Sequence, residues 1–180
     1  MRDRRARTVR MLWSAGAAVA LALLTAGCSP PELQLVAVGQ GPQGELRALL
    51  RPCSGAAHME EVSIQHIADE TDGADPEVLD GWSARPPRSV TGELEISLYA
   101  PPQNWHGAAQ PARKLSAAGF YSVDFVIGRQ ETQPRSIVVK YRGIGRFEAA
   151  DVEGLAPGQW WADGKVMSRT QFREHTDDVC

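Results

Sequence analysis

The sequence predicts a mainly β protein: an immunoglobulin-like β-sandwich of about seven strands with a short C-terminal helix. Three observations point there. Apolar residues between 33 and 146 recur with period two, the spacing that turns one face of a strand into a core. Gly and Pro clusters interrupt these runs at short intervals. No clear helical period is interleaved before the last dozen residues, and strands without interleaved helices pack as two sheets.

The runs at 33–38 and 46–51 form the first two strands. Between them Gly39, Gly41 and Gly44 stand as G-x-G-x-x-G, the spacing of a dinucleotide-binding loop. Such a loop needs a helix after its last glycine to receive the pyrophosphate. Only "ELRALLR" separates Gly44 from Pro52, and Pro42 removes a backbone N–H from the motif. The expectation is a hairpin with Gly-Pro-Gln-Gly at its turn, and no nucleotide.

"VSIQHI" then puts Val62, Ile64 and His66 on one face, and a weaker run lies near 82–85. "ELEISLYA" alternates Leu94, Ile96 and Leu98 with polar neighbours and Tyr99. "FYSVDFVIG" aligns Tyr121, Val123, Phe125 and Ile127, and "RSIVVKYRG" aligns Ile137, Val139 and Tyr141, with "GRQETQPR" short enough to join them as a hairpin. The sandwich spans 33–146. Residues 147–180 are expected to pack on it as a helical turn in "EAADVEGLAPG", a short strand and turn at "WWADG", and a helix over 169–178. Ser168 and Gln171 have capping-box spacing at the start of that helix, and its Phe172 faces the sandwich.

The chain opens with "MRDRRARTVR", five arginines against one acid, followed by the apolar "MLWSAGAAVALALLTAG". This is the pattern of a secretory signal, and the apolar part is at the short end for a membrane span. "LLTAGC" resembles the lipobox of bacterial lipoproteins, in the "LTAGCS" form common in high-GC Gram-positive bacteria. The resemblance covers residues 1–28. It implies a signal peptide over 1–27, a thioether from Cys28 to diacylglycerol, and a lipidated tether over 28–32. The protein would then sit on the extracytoplasmic face of the cell membrane, held to the lipid bilayer by two acyl chains, which suffice for stable attachment. A plain signal peptide followed by an ordinary cysteine is the alternative. The Arg4-Arg5 pair lacks the apolar positions that twin-arginine export prefers.

Without residues 1–27 the chain keeps 14 Lys+Arg against 21 Asp+Glu. That balance argues against nucleic acid and against a polybasic attraction to anionic lipid. The remaining length suits one domain with a single core. Cys53 and Cys180 are left in a compartment where disulfides persist. A bridge between them would pin the C-terminus to the early domain, stabilising it by on the order of 4–5 kcal/mol; two free thiols are the alternative.

Signals of chemistry are sparse. The acidic stretch 69–80 carries Asp69, Glu70, Asp72, Asp75, Glu77 and Asp80, but as a calcium loop it fails the required pattern, which leaves a solvated loop or a weak cation site. His58, His66, His106 and His175 form no zinc spacing, so no metal and no cofactor is expected. No serine lies in G-x-S-x-G. Trp82, Trp105, Trp160 and Trp161 lie in or near Gly- or Pro-rich segments, where an indole either closes the core or stacks on a sugar or partner; Trp105 in "PPQNWHG" is the one expected exposed.

Over 33–180 the chain is similar in arrangement to small lipoproteins of high-GC Gram-positive bacteria without assigned activity, in its "LLRPC" strand end and its terminal cysteine after a short helix. That resemblance carries no catalytic motif. The first expectation is a non-catalytic, lipid-anchored domain binding an envelope protein or wall glycan. The alternatives are an extracytoplasmic hydrolase with a site built from loops such as 100–119, and a subunit of a larger membrane complex.

Overall fold

A computed structural model describes residues 30–54, 57–68, 77–87, 90–110, 114–130 and 137–180. The signal-like segment, Cys28 and residues 69–76 of the acidic stretch lie outside the described residues. Strands are numbered along the chain. The larger sheet runs in the order β1 (Glu32–Gln34), β10 (Ile137–Phe147), β9 (Phe120–Gln130), β4 (His58–Ile67), β5 (Val78–Arg85), β8 (His106–Gln110), with the two-residue β6 (Val90–Thr91) also on β4. The smaller runs β12 (Lys165–Ser168), β11 (Gln159–Ala162), β2 (Val36–Gln40), β3 (Leu46–Leu50), β7 (Leu94–Ser97). Among the described residues two helices, α1 (Ala149–Val152) and α2 (Arg169–Val179), complete the fold.

The expected sandwich with its C-terminal helix is present, with more strands than the periodicity indicates. One reason lies at Leu35. The run 33–38 is divided there: β1 pairs in parallel with β10, and β2 pairs antiparallel with β3 in the other sheet. Leu35 N donates to Ile144 O at 3.3 Å while its own carbonyl accepts from Arg51 N at 3.0 Å, so one residue is bonded to both sheets.

Burial explains why the alternation fails just here. Val36 and Val38 face the larger sheet in the main core, whereas Ala37 belongs to a second core with Leu49, Trp160, Ala162, Met167 and Phe172. The smaller sheet is therefore a middle layer, covered on one side by the larger sheet and on the other by α2. Strands buried on both faces read as continuous apolar runs.

Residues 147–180 differ from expectation in one respect. Instead of packing on a finished sandwich, β11 and β12 extend the smaller sheet, with β11 paired to β2. Gly39 permits this, because a Cβ there would lie 2.5 Å from Gln159 O and 2.9 Å from the Trp160 ring. The helix forms as its capping box requires, with Gln171 N donating to Ser168 Oγ at 3.2 Å and Ser168 N to Gln171 Oε1 at 2.8 Å.

Phe172 is fully buried beneath α2. Arg51 reaches the helix from the end of β3, pairing with Asp177 at 2.9 Å and donating to the Arg173 carbonyl and Thr176 Oγ1. The helix ends at Cys180, bonded to Cys53 with 5.3 Å between their Cα atoms and a sequence separation of 127. Pro31 O accepts from Arg142 N at 2.9 Å, so the sheet hydrogen bonding already begins within the segment assigned to the tether.

Candidate functional site

The three glycines of the G-x-G-x-x-G stretch each have a structural reason. Gly39 lies under Trp160, Gly41 is crowded by the Glu45 carboxylate, and Gly44 has φ +79°. The turn closes with Gly44 N donating to Gly41 O at 3.0 Å and Gly41 N to Glu45 O at 2.8 Å. The segment is the expected β2–β3 hairpin, and no helix follows it to receive a phosphate.

One cluster of potentially reactive groups was not legible in the sequence. His66 on β4 and Asp80 on β5 are ladder partners, and Nδ1 of His66 stands 3.3 Å from Asp80 Oδ2. The imidazole is 4 % exposed and stacks on Tyr121 with ring centroids 4.5 Å apart; Tyr121 stacks in turn on Phe147 at 5.3 Å. Burial pushes the Tyr121 phenol upward, partly offset by the Ser116 N–H that donates to it at 2.7 Å.

A carboxylate on one imidazole nitrogen is half of a catalytic triad, whose other nitrogen must be open to a nucleophile. Here Nε2 lies 2.7 Å from the Ala118 carbonyl, which can only accept, so Nε2 carries a hydrogen and has no lone pair to offer. The neighbouring cavity, lined by Ile64, Trp82, Leu98, Tyr99 and Leu115, holds about 10 Å³. That is room for one water at most. The cluster joins the β4–β5 hairpin to the 116–119 turn, with the imidazole buried and its Nε2 taken up by the Ala118 carbonyl.

A shallow cleft of about 330 Å³ lies at the same end, bounded by Phe120, Arg146, Phe147, Glu148 and Asp151. Its two carboxylates form the capping box of α1, with Asp151 Oδ2 accepting from Glu148 N at 2.8 Å. Arg146 is the remaining charged group at its rim.

The outward face of the larger sheet carries a polar network. Ser63 and Asp124 are ladder partners between the inward-facing pairs Val62–Phe125 and Ile64–Val123. Burial pushes the Asp124 carboxyl up, with Arg142 and Ser63 drawing it back. Glu61 is held below its usual range by the Ser83 hydroxyl, which donates at 2.7 Å, and by Arg85 at 2.9 Å.

The residues singled out in the sequence separate clearly. Trp82 is 3 % exposed and donates to Leu98 O at 3.0 Å, and Trp160 is 5 % exposed under α2. Both are core residues and offer no face to a ligand, which corrects their candidacy as binding residues: each is enclosed by a sheet partner that sequence spacing does not show. Trp105 and Trp161 are half-buried at the margin of the main core. Cys53 and Cys180 are joined, and Cys28 lies outside the described residues.

Of the acidic stretch, Glu77 is exposed and Asp80 faces His66. Among the described residues no group of three or more His, Cys, Asp or Glu could hold a metal ion, and no helix is long and apolar enough to cross a membrane. Compared with known proteins, the chain matches no family model, no curated protein and no solved structure.

Proposed function

We propose that the chain is a lipid-anchored, extracytoplasmic, non-catalytic domain that binds an envelope protein or a wall glycan at the membrane surface. The observation that carries this reading is the Cys53–Cys180 bond. The chain has three cysteines, and pairing two of them leaves Cys28, inside "LLTAGC", as the one thiol for lipidation. A disulfide also suits an oxidising compartment.

The non-catalytic part rests on the His66 cluster, whose Nε2 is occupied by a backbone carbonyl and whose cavity admits one water at most.

Mass spectrometry of the protein from producing cells tests the anchor. The expected mass is that of residues 28–180 plus diacylglycerol, with one disulfide. Cross-linking on intact cells then tests the partner. Reproducible links to one envelope protein or to wall glycan are expected; turnover of an ester, amide or glycoside by the purified chain would overturn the non-catalytic reading.

A further inference from the structure

The structure also bears on how an anchored domain stands on its membrane, an inference that rests on the lipidation of Cys28 proposed above. The chain is held into the fold from Pro31, whose carbonyl accepts from Arg142 N. Pro31 is three positions after Cys28, a reach of at most roughly 11 Å. From Arg142, β10 runs on to Phe147, about 17 Å further at the rise of a strand. The anchor therefore cannot reach the end of the sandwich that holds Phe147.

Because β1 is parallel to β10, the chain leading back from Glu32 heads toward the opposite end. That end gathers the starts of β4 and β8, the end of β5 and the disulfide: His58 pairs with Thr91, His106 pairs with Arg85, and Cys53 N donates to the Tyr141 hydroxyl at 2.9 Å. Its surface suits a headgroup layer. Trp105 and Tyr141 are half-buried there, and Val179, beside Cys180, is 37 % exposed. Partly exposed Trp and Tyr favour the membrane–water interface.

The charges exposed at this end are of both signs, Arg85, Lys140 and Arg142 with Asp177 and Asp178 beside Cys180; Glu61 is tied to Arg85, and Glu32 stands opposite Arg142.

We propose that the domain stands upright on a lipid surface, with the Cys53–Cys180 end against the headgroups and the end holding Phe147 and the His66 cluster facing outward. The competing posture lies on the β1 edge. It would lift β8, the opposite edge of the larger sheet, away from the lipid, since six strands at the sheet spacing span about 24 Å.

The test uses the lipidated chain in phosphatidylcholine–phosphatidylglycerol vesicles containing a headgroup-nitroxide lipid. A fluorophore is attached to a cysteine introduced by His106→Cys, His58→Cys or Glu148→Cys, all exposed positions. Labels at 106 and 58 are expected to lose most of their fluorescence, and the label at 148 little. A spared label at 106, or quenching at 148 equal to that at 58, overturns the upright posture while the anchor stands. A chain lacking diacylglycerol by mass, and failing to float with vesicles, overturns the anchor and the posture with it.

Discussion

The Tyr141 hydroxyl on β10 accepts the backbone N–H of Cys53 at 2.9 Å, and Cys53 is in turn bonded to Cys180 at the end of α2. The larger sheet, the turn after β3 and the C-terminal helix are thus fastened at one point. Replacing both cysteines by alanine is expected to lower stability by roughly 2–5 kcal/mol, because the unfolded chain regains the freedom of a very long loop. Tyr141→Phe should cost about 1 kcal/mol, the worth of one hydrogen bond. Denaturant melts under non-reducing conditions check both values.

Phe172 fills the second core between α2 and the smaller sheet and is fully buried. Phe172→Ala is expected to cost about 3–5 kcal/mol. With the disulfide intact, the C-terminus stays attached, so hydrogen exchange should show α2 losing protection before the central strands β4 and β9. Equal protection in the variant would show that the bridge alone holds the helix.

Glu93 receives Arg173 at 2.8 Å and Arg169 at 2.8 Å, and these guanidinium groups pull its carboxyl down to about 2. The lowered value means the ionised form is favoured in the folded state. The stabilisation is present above the ordinary carboxylate value of 4.5 and is lost as the pH falls toward about 2. Allowing for solvent screening, it amounts to on the order of 1–2 kcal/mol. Glu93→Gln should therefore be less stable than the parent near neutrality, with the difference shrinking between about pH 4.5 and pH 2. Thermal melts across that range measure it.

His66→Phe keeps an aromatic ring over Tyr121 and removes the contacts to Asp80 and the Ala118 carbonyl. A loss of about 1 kcal/mol is expected, since the hydrogen bond to the Ala118 carbonyl is removed. A variant as stable as the parent would mean that ring packing alone accounts for this histidine.

Collisional quenching by iodide should reach the indoles of Trp105 and Trp161 and spare Trp82 and Trp160. Trp105→Phe is then expected to remove a substantial part of the quenchable emission. An unchanged quenchable fraction would place Trp105 deeper than its half-buried position indicates.

What this sequence determined by itself is local. Alternation over 120–127 placed Val123, Phe125 and Ile127 in the core, the Ser168–Gln171 spacing marked the start of α2, and Pro42 with Pro52 argued the glycine motif into a hairpin; all are decided by residues within a few positions of one another. The Cys53–Cys180 pairing could be reached by counting, because few cysteines leave few choices.

Tertiary structure decided the rest. The division of the first strand at Leu35 depends on which strands stand on either side of it, and a run of apolar residues looks the same whether one sheet or two receive it. The His66–Asp80 contact depends on the register of β4 against β5 across a connecting segment that leaves that register open. The burial of Trp82 and Trp160 depends on partners distant in sequence, Leu98 O for the one and Phe172 with Gly39 for the other. Periodicity reports that a face is buried, and only the packed sheets determine what buries it.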